Sequence, residues 1–216
     1  MPNSLKISII TPSFNQGHFI EETIRSVVDQ SYSNIEYIVI DGGSKDSTVD
    51  VINKYATRIT YWESKKDKGQ SDAINKGLAK ATGDIVAWLN SDDMYTENAL
   101  KRVAAIFTKY PDVDIVYGNV WQCYPDKTEK HINVKFNPKH FLTGVNMHQP
   151  SVFWRRRVHE EVGFIDESLY YTMDYDLWLR LFYNYKSYKT ESILSKFRCH
   201  QDAKTSNNPK GIYMDY

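Results

Sequence analysis

One pattern in the first 90 residues limits the fold more than any other feature. A short stretch of mostly apolar, β-branched residues is followed by a polar junction, then by apolar residues at helical spacing, and the unit repeats. Residues 5–11 (LKISIIT), 35–40 (IEYIVI), 59–62 (ITYW) and 85–89 (IVAWL) are the strands of this pattern. Strands this apolar leave no face for water, and strands covered on both faces belong to parallel sheets with crossover helices. Helices are predicted at 19–28, from a cap at Asp46 or Ser47 to about residue 55, at 71–81, and from Thr96 to 109, with a further strand at 113–121. Pro12, Asn15, Gly17 and Asp41-Gly42-Gly43-Ser44 punctuate them. The expectation is an α/β fold with a mostly parallel central sheet and helices on both faces.

Beyond residue 121 the alternation decays. Residues 122–145 read as hairpin-like and short helical stretches, 152–154 as extended, 174–185 as a helix with an aromatic-rich face, and 201–216 as a polar, mobile tail. The chain has no Pro/Ser-rich linker and no internal repeat, and 216 residues can share one core. A single domain over 1–216 is therefore expected, divided into a regularly alternating, nucleotide-like half at 1–121 and a less regular half at 122–216.

Twenty-seven basic residues balance 27 acidic ones, so nothing global attracts nucleic acid or anionic membrane, and an anionic ligand needs a local site. The composition, 41% hydrophobic with 10 Gly and 7 Pro, excludes collagen-like and largely disordered chains. Cys123 and Cys199 fall in no metal or redox spacing and read as reduced core thiols. No apolar run is longer than that at residues 85–89, far below the ~20 residues of a membrane-spanning helix, and Met1-Pro2-Asn3-Ser4 lacks a signal-peptide core. A cytoplasmic location is expected. Eight of the 16 tyrosines lie beyond residue 160, where they either fill a core or stack on flat ligands.

Open parallel sheets bind ligands at the carboxyl ends of their strands. Three junctions there are polar: Thr11-Pro12-Ser13-Phe14-Asn15, Asp41-Gly42-Gly43-Ser44 and Asn90-Ser91-Asp92-Asp93. Adjacent Asp92 and Asp93 repel each other, which a divalent cation on phosphate oxygens would relieve; alternatively one of them caps the next helix. Asp41 is either turn chemistry or an acceptor for a base N–H or ribose hydroxyl. In Met173-Asp174-Tyr175-Asp176, the two acids cannot share a helix face. Asp176 can pair with Arg180, and Asp174 is either a cap or a general base. No G-x-G-x-x-G, G-x-x-x-x-G-K-[ST], G-x-S-x-G or H-E-x-x-H occurs, so dinucleotide, P-loop and common hydrolase readings lack their usual support.

Taken in order, ISIITPSFNQ, EYIVIDGGSKDST, DKGQSDAINKGLAKATGDIVAWLNSDD, HQPSVFWRR, GFIDESL, MDYDLWLR and FRCH resemble the motifs of the family 2 glycosyltransferases with the GT-A fold, over roughly residues 6–200. That resemblance implies a metal-dependent, inverting, non-processive transferase using a nucleotide sugar, with UDP foremost and GDP or dTDP as alternatives. By it Thr11, Pro12, Ser13 and Asn15 line the nucleoside; Asp41, Gly42 and Ser44 hold the base; and Asp72 and Asn75 border the nucleotide. Asn90 and Ser91 lie at the D-x-D position, where Asn90 replaces the usual first Asp. Asp92, supported by Asp93 and by the late His200, binds Mn²⁺ or Mg²⁺, and Asp174 is the base. His148, Gln149 and Trp178 face the acceptor, which makes 122–216 the acceptor-binding half. The acceptor implied is a glycan or lipid-linked sugar in surface polysaccharide or oligosaccharide synthesis, with no nucleic acid partner and a location in the cytoplasm or at the membrane periphery. Arg155, Arg156 and Arg157 either meet an anionic acceptor or open a solvated helix. Two other classes compete. A sugar nucleotidyltransferase would need a basic loop after the first strand, yet no Lys or Arg lies between Lys6 and Arg25. A nucleotide-sugar or glycan binding module without turnover is favoured by Asn90 and opposed by Asp92 and Asp174.

Overall fold

The computed structural model describes residues 4–134, 147–201 and 203–204. Strands β1 (Ile7–Ser13), β2 (Ile35–Asp41), β3 (Tyr61–Ser64) and β4 (Ile85–Trp88) pair in parallel in the order β3-β2-β1-β4. Helices α1 (Ile20–Val28), α2 (Thr48–Lys54) and α3 (Gln70–Lys80) join them. Successive side chains on one strand enter different cores. Ile9, Val39 and Ala87 pack with Ile24 of α1, whereas Ile10, Ile40 and Trp88 pack with Ile74 of α3. This is the double covering that the apolar strands require. Helix α3 approaches β1 so closely that a Cβ on Gly77 would lie 2.3 Å from Cγ2 of Ile10.

The second half adds β5 (Met94–Tyr95), α4 (Ala99–Lys109), β6 (Ile115–Cys123), β7 (Glu129–Ile132), β8 (Val152–Arg155), α5 (Arg156–Val162), α6 (Met173–Asn184) and β9 (Ser187–Arg198). The sheet continues as β4-β8-β6-β9-β5, with β7 on β6. Strand β8 runs antiparallel to both neighbours, and β6 and β9 are parallel, so the sheet is mixed beyond β4. Strand β9 is absent from the sequence expectation because its Lys, Glu and Ser residues hide the apolar positions, and two register shifts against β6 break its period. Helix α4 begins at Ala99 rather than Thr96, after Asn98 in the left-handed region (φ 59°). Residues 135–145 of the expected hairpin-and-helix stretch, and most of the expected mobile tail, lie outside the described residues.

The three arginines are engaged by the protein itself. Arg155 donates to the carbonyls of Val113 and Phe107, Arg156 to that of Gly83, and Arg157 pairs with Asp114. They tie down the amino end of β4, where Ile85 pairs with Arg155. The cysteines are free and half-buried rather than core thiols. Burial, then the nearby Glu129 carboxylate, pushes the Cys123 thiol up to about 11. No helix among the described residues is long and apolar enough to cross a membrane.

Glu36 holds the amino ends of the central strands together. Its carboxylate accepts from Lys6 Nζ (2.6 Å), Ser8 Oγ (2.5 Å), the Thr82 amide (2.7 Å) and Thr82 Oγ1 (2.6 Å). Burial pushes this carboxyl upward, but the four donors outweigh it and hold the pKa at about 2. A depressed acid stabilises the fold above its unfolded value, and that contribution disappears as pH falls through the folded value. Stability should therefore drop between about pH 5 and pH 2. Glu36→Gln should cost about 2 kcal/mol at pH 7, with water screening the Lys6 pair, and should flatten this acid slope in urea titrations.

Candidate active site

Ser13 pairs in register with Asp41, and Ile10 with Trp88, so the carboxyl ends of β1, β2 and β4 share one edge. The three polar junctions meet there, as an open sheet requires.

The first two junctions brace each other. Asn15, left-handed at φ 52°, donates its amide N–H to Ser44 Oγ (2.7 Å) and accepts at Oδ1 from the Lys45 amide (2.9 Å). The amides of Gln16 and Gly17 bond Thr48 Oγ1 (2.8 Å) and Asp46 Oδ2 (2.9 Å). Asp41 is fully buried. It accepts from the Gly43 and Ser44 amides (3.0 and 2.9 Å), from Ser64 Oγ (2.6 Å) and from Ser44 Oγ. It thus shapes its own loop. A Cβ on Gly42 would lie 2.8 Å from Asp67 Oδ2, so the Asp67 carboxylate closes on the Gly42 backbone there. Thr11 is buried and accepts from Tyr37 OH (3.1 Å), and Pro12 is buried beside it. The Ser13 hydroxyl is buried with no partner among the described residues. Phe14 beside it is 59% exposed.

Of the third βα unit, Asp72 Oδ2 accepts from Lys76 Nζ (2.8 Å) and the Lys68 amide (3.0 Å). Burial raises its carboxyl, and these two donors outweigh burial and hold it below the ordinary range. Asn75 is engaged by the protein, because its carboxamide bonds both the N–H and the C=O of Ile165 at 2.9 Å. It fixes the segment after α5.

The turn after β4 is anchored by Thr23 of α1, whose hydroxyl reaches the carbonyls of Ser91 (2.9 Å) and Asp93 (2.7 Å). Asn90 Oδ1 accepts from Gln70 Nε2 at 3.0 Å. Asp92 Oδ2 lies 3.0 Å from His200 Nε2. The His200 ring packs on Phe19 at 4.5 Å, and its Nδ1 is buried with no partner among the described residues. Asp93, expected to support Asp92, differs from it, and its Oδ2 is buried with no partner among the described residues. It is 1% exposed, Oδ1 accepts from the Arg198 amide (2.9 Å), and burial, then the Asp92 charge, raises its carboxyl well above the ordinary range. No group of three or more His, Cys, Asp or Glu able to hold a cation occurs among the described residues. One carboxylate and one imidazole are too few to cage an ion unaided, but they fit one whose remaining ligands are phosphate oxygens and water.

Asp174 lies in the first turn of α6, half-buried, and Asp176 pairs with Arg180 at 2.7 Å as the spacing implied. Burial pushes the Asp174 carboxyl up, against the Tyr175 amide and the Lys204 charge. Lys204 Nζ sits 3.8 Å from the Tyr170 ring centroid and donates to Gln70 Oε1 at 3.3 Å. Gln149 Nε2 donates to the Trp88 carbonyl (2.7 Å), leaving its Oε1 buried without a partner among the described residues. His148 packs against Phe197 at 5.3 Å, and burial holds its imidazole below the ordinary value. Trp178 is corrected from an acceptor platform to core. It is 1% exposed, stacked on Trp88 (5.3 Å, 6°) and edge-on to Trp154 (5.8 Å), so no ring face is left for a sugar. Sequence reasoning missed Thr23, Gln70, Tyr170 and Lys204. The one cue was Gln70's place after Gly69, a glycine at φ 124° opening α3 toward the crevice.

Residues 8–167 match the family described as Glycosyl transferase family 2. An uncharacterised glycosyltransferase of Rickettsia typhi is 30% identical over 225 aligned residues, covering 97% of this chain and 69% of that protein. The crystal structure of S. aureus TarS 1-349 in complex with UDP-GlcNAc is similar at a TM-score of 0.76 and 18% identity, over 98% of this chain and 64% of that one. The mannosyltransferase PcManGT from Pyrobaculum calidifontis, in complex with GDP-Man and Mn²⁺, is similar at 0.67 and 17% identity, over 90% of this chain and 57% of that one. At such identities the two structures speak for the fold, and the chain spans less than two thirds of either. The GT-A architecture, the junctions gathered on its carboxyl edge and the match over residues 8–167 make this chain an enzyme of glycosyl transferase family 2.

Proposed function

We propose that this protein moves one sugar from a nucleoside-diphosphate sugar to a hydroxyl of a glycan or lipid-linked acceptor, with inversion and with a divalent cation. The observation that carries the reading is the meeting of Asp92 and His200, 108 positions apart in sequence, at 3.0 Å on the carboxyl edge of the sheet. The neighbours support the donor class, since TarS is described with UDP-GlcNAc and PcManGT with GDP-Man and Mn²⁺. UDP is the first donor nucleotide to test.

Asp92 and His200 would hold the cation, which when bound offsets charge developing on the departing diphosphate. The junction at 41–44 and the unpartnered Ser13 hydroxyl receive the nucleoside. Asp174 takes the proton of the acceptor hydroxyl while that oxygen bonds the anomeric carbon and the bond from that carbon to the diphosphate breaks on the opposite face. One displacement inverts the centre. A carboxylate whose pKa is raised by burial is a stronger base than an exposed one, which suits a weakly acidic hydroxyl. His148 and the unpartnered Gln149 Oε1 lie on the acceptor side.

Asp92→Ala should abolish the Mn²⁺-dependent part of the melting-temperature rise produced by UDP or GDP; an unchanged rise would remove Asp92 as the metal residue. Asp174→Asn should retain that rise and lower sugar transfer by roughly 10²–10⁴-fold. Because burial raises the Asp174 pKa, kcat/KM should decline with falling pH at a higher pH than for an ordinary aspartate, and full turnover by Asp174→Asn would exclude it as the base.

A further inference from the structure

Asn90 is where this chain departs from the D-x-D pattern, and the structure surrounds it with an ordered set of donors and acceptors. A lysine ammonium can only donate hydrogen bonds. Lys204 Nζ, 3.3 Å from Gln70, therefore requires the carboxamide oxygen Oε1 to face it. That leaves Nε2 of Gln70, a donor, toward Asn90 at 3.0 Å, and Asn90 must answer with Oδ1. With Oδ1 so engaged, Asn90 is turned with its Nδ2 on the other side. Nδ2 has no partner among the described residues, and Asn90 itself is half-buried at the carboxyl end of β4, two residues before Asp92. A reversed Gln70 would set its N–H₂ against the ammonium and its oxygen toward Asn90, so the arrangement has one polarity.

We propose that Lys204 and Gln70 are positioning residues that act through Asn90, orienting its carboxamide so that Nδ2 donates to an acceptor oxygen of the bound nucleoside diphosphate. This rests on the donor reading above. It assigns the D-x-D departure a role. An aspartate there could only accept and would add a second negative charge beside Asp92, whereas the oriented amide donates and adds none. The position thus reads a phosphate or ribose lone pair instead of a hydroxyl proton.

Orientation matters only for an asymmetric group. A carboxylate has two equivalent oxygens, so in an Asn90→Asp background Gln70 has nothing to orient, although its Nε2 can still bond. The test is a double-mutant cycle on UDP and GDP binding with Mn²⁺, measured by isothermal titration calorimetry. Gln70→Leu should weaken binding about fivefold to tenfold in the unsubstituted protein and less than about twofold in Asn90→Asp, the loss of one oriented hydrogen bond. Lys204→Met, which removes the cue one step further out, should follow the same pattern, and the melting temperature of each unliganded variant reports its folding. An equal loss in both backgrounds, or none in either, overturns the inference while leaving the donor reading intact. Failure of the unsubstituted protein to bind either nucleotide overturns the donor reading, and this inference with it.

Discussion

The structure depends on β1 being buried on both faces and paired in parallel on both edges. That strand sends Ile9 to one core and Ile10 to the other, and its neighbours β2 and β4 keep step with it in register. Parallel pairing puts all three carboxyl ends on one edge, and the twin cores leave no other route for the connections than helices above and below. Every functional junction inherits its place from that arrangement. Glu36 secures the opposite end, drawing Lys6, Ser8 and Thr82 onto one carboxylate.

The crevice is organised by two kinds of polar residue. Some are fully engaged by the protein: Asp41 accepts four hydrogen bonds from its own loop and its neighbour strand, and Asn75 clamps Ile165. Their loss would disturb shape before it disturbed any contact with substrate. Others are buried with an atom unpartnered among the described residues, namely Ser13 Oγ, Gln149 Oε1 and His200 Nδ1. An unpaired buried polar atom costs free energy of about 1–3 kcal/mol, so its persistence near a crevice marks where a ligand or ordered water belongs. Asp93 shares both characters: Oδ1 accepts from the Arg198 amide, Oδ2 is buried without a partner among the described residues, and burial favours the neutral form. The negative charge of this turn is therefore concentrated on Asp92, which faces His200.

Much of the first half was legible because its signals are local. Apolar runs, Gly and Asp punctuation and helical spacing place the four parallel strands and the α-helices of residues 5–109 within a few positions of where they lie, though not the two-residue β5. The order of polar junctions along such a sheet already places Ser13, Asp41 and Asp92 on one edge. Strand β9 was not legible, because a strand carrying Lys189, Glu191 and Lys196 among its apolar positions takes its identity from the β6 partner rather than from its own composition. Trp178 was misread for the converse reason. Its spacing on α6 says only that it lies on one helix face, and the stacking on Trp88 that makes that face a core depends on a strand ninety residues earlier.

By itself the sequence determined the α/β architecture, the edge on which the polar junctions gather and the residue types found there, because these follow from burial and from chain direction, both of which are written locally. Only the tertiary structure decided which groups are used and how. It closed Asp92 onto His200, withdrew Asp93 and Trp178 from the surface, and linked Lys204 through Gln70 to Asn90. The physical reason is that a hydrogen bond is settled by distance and direction within a few tenths of an ångström, and groups separated by a hundred residues acquire these only when both cores are packed.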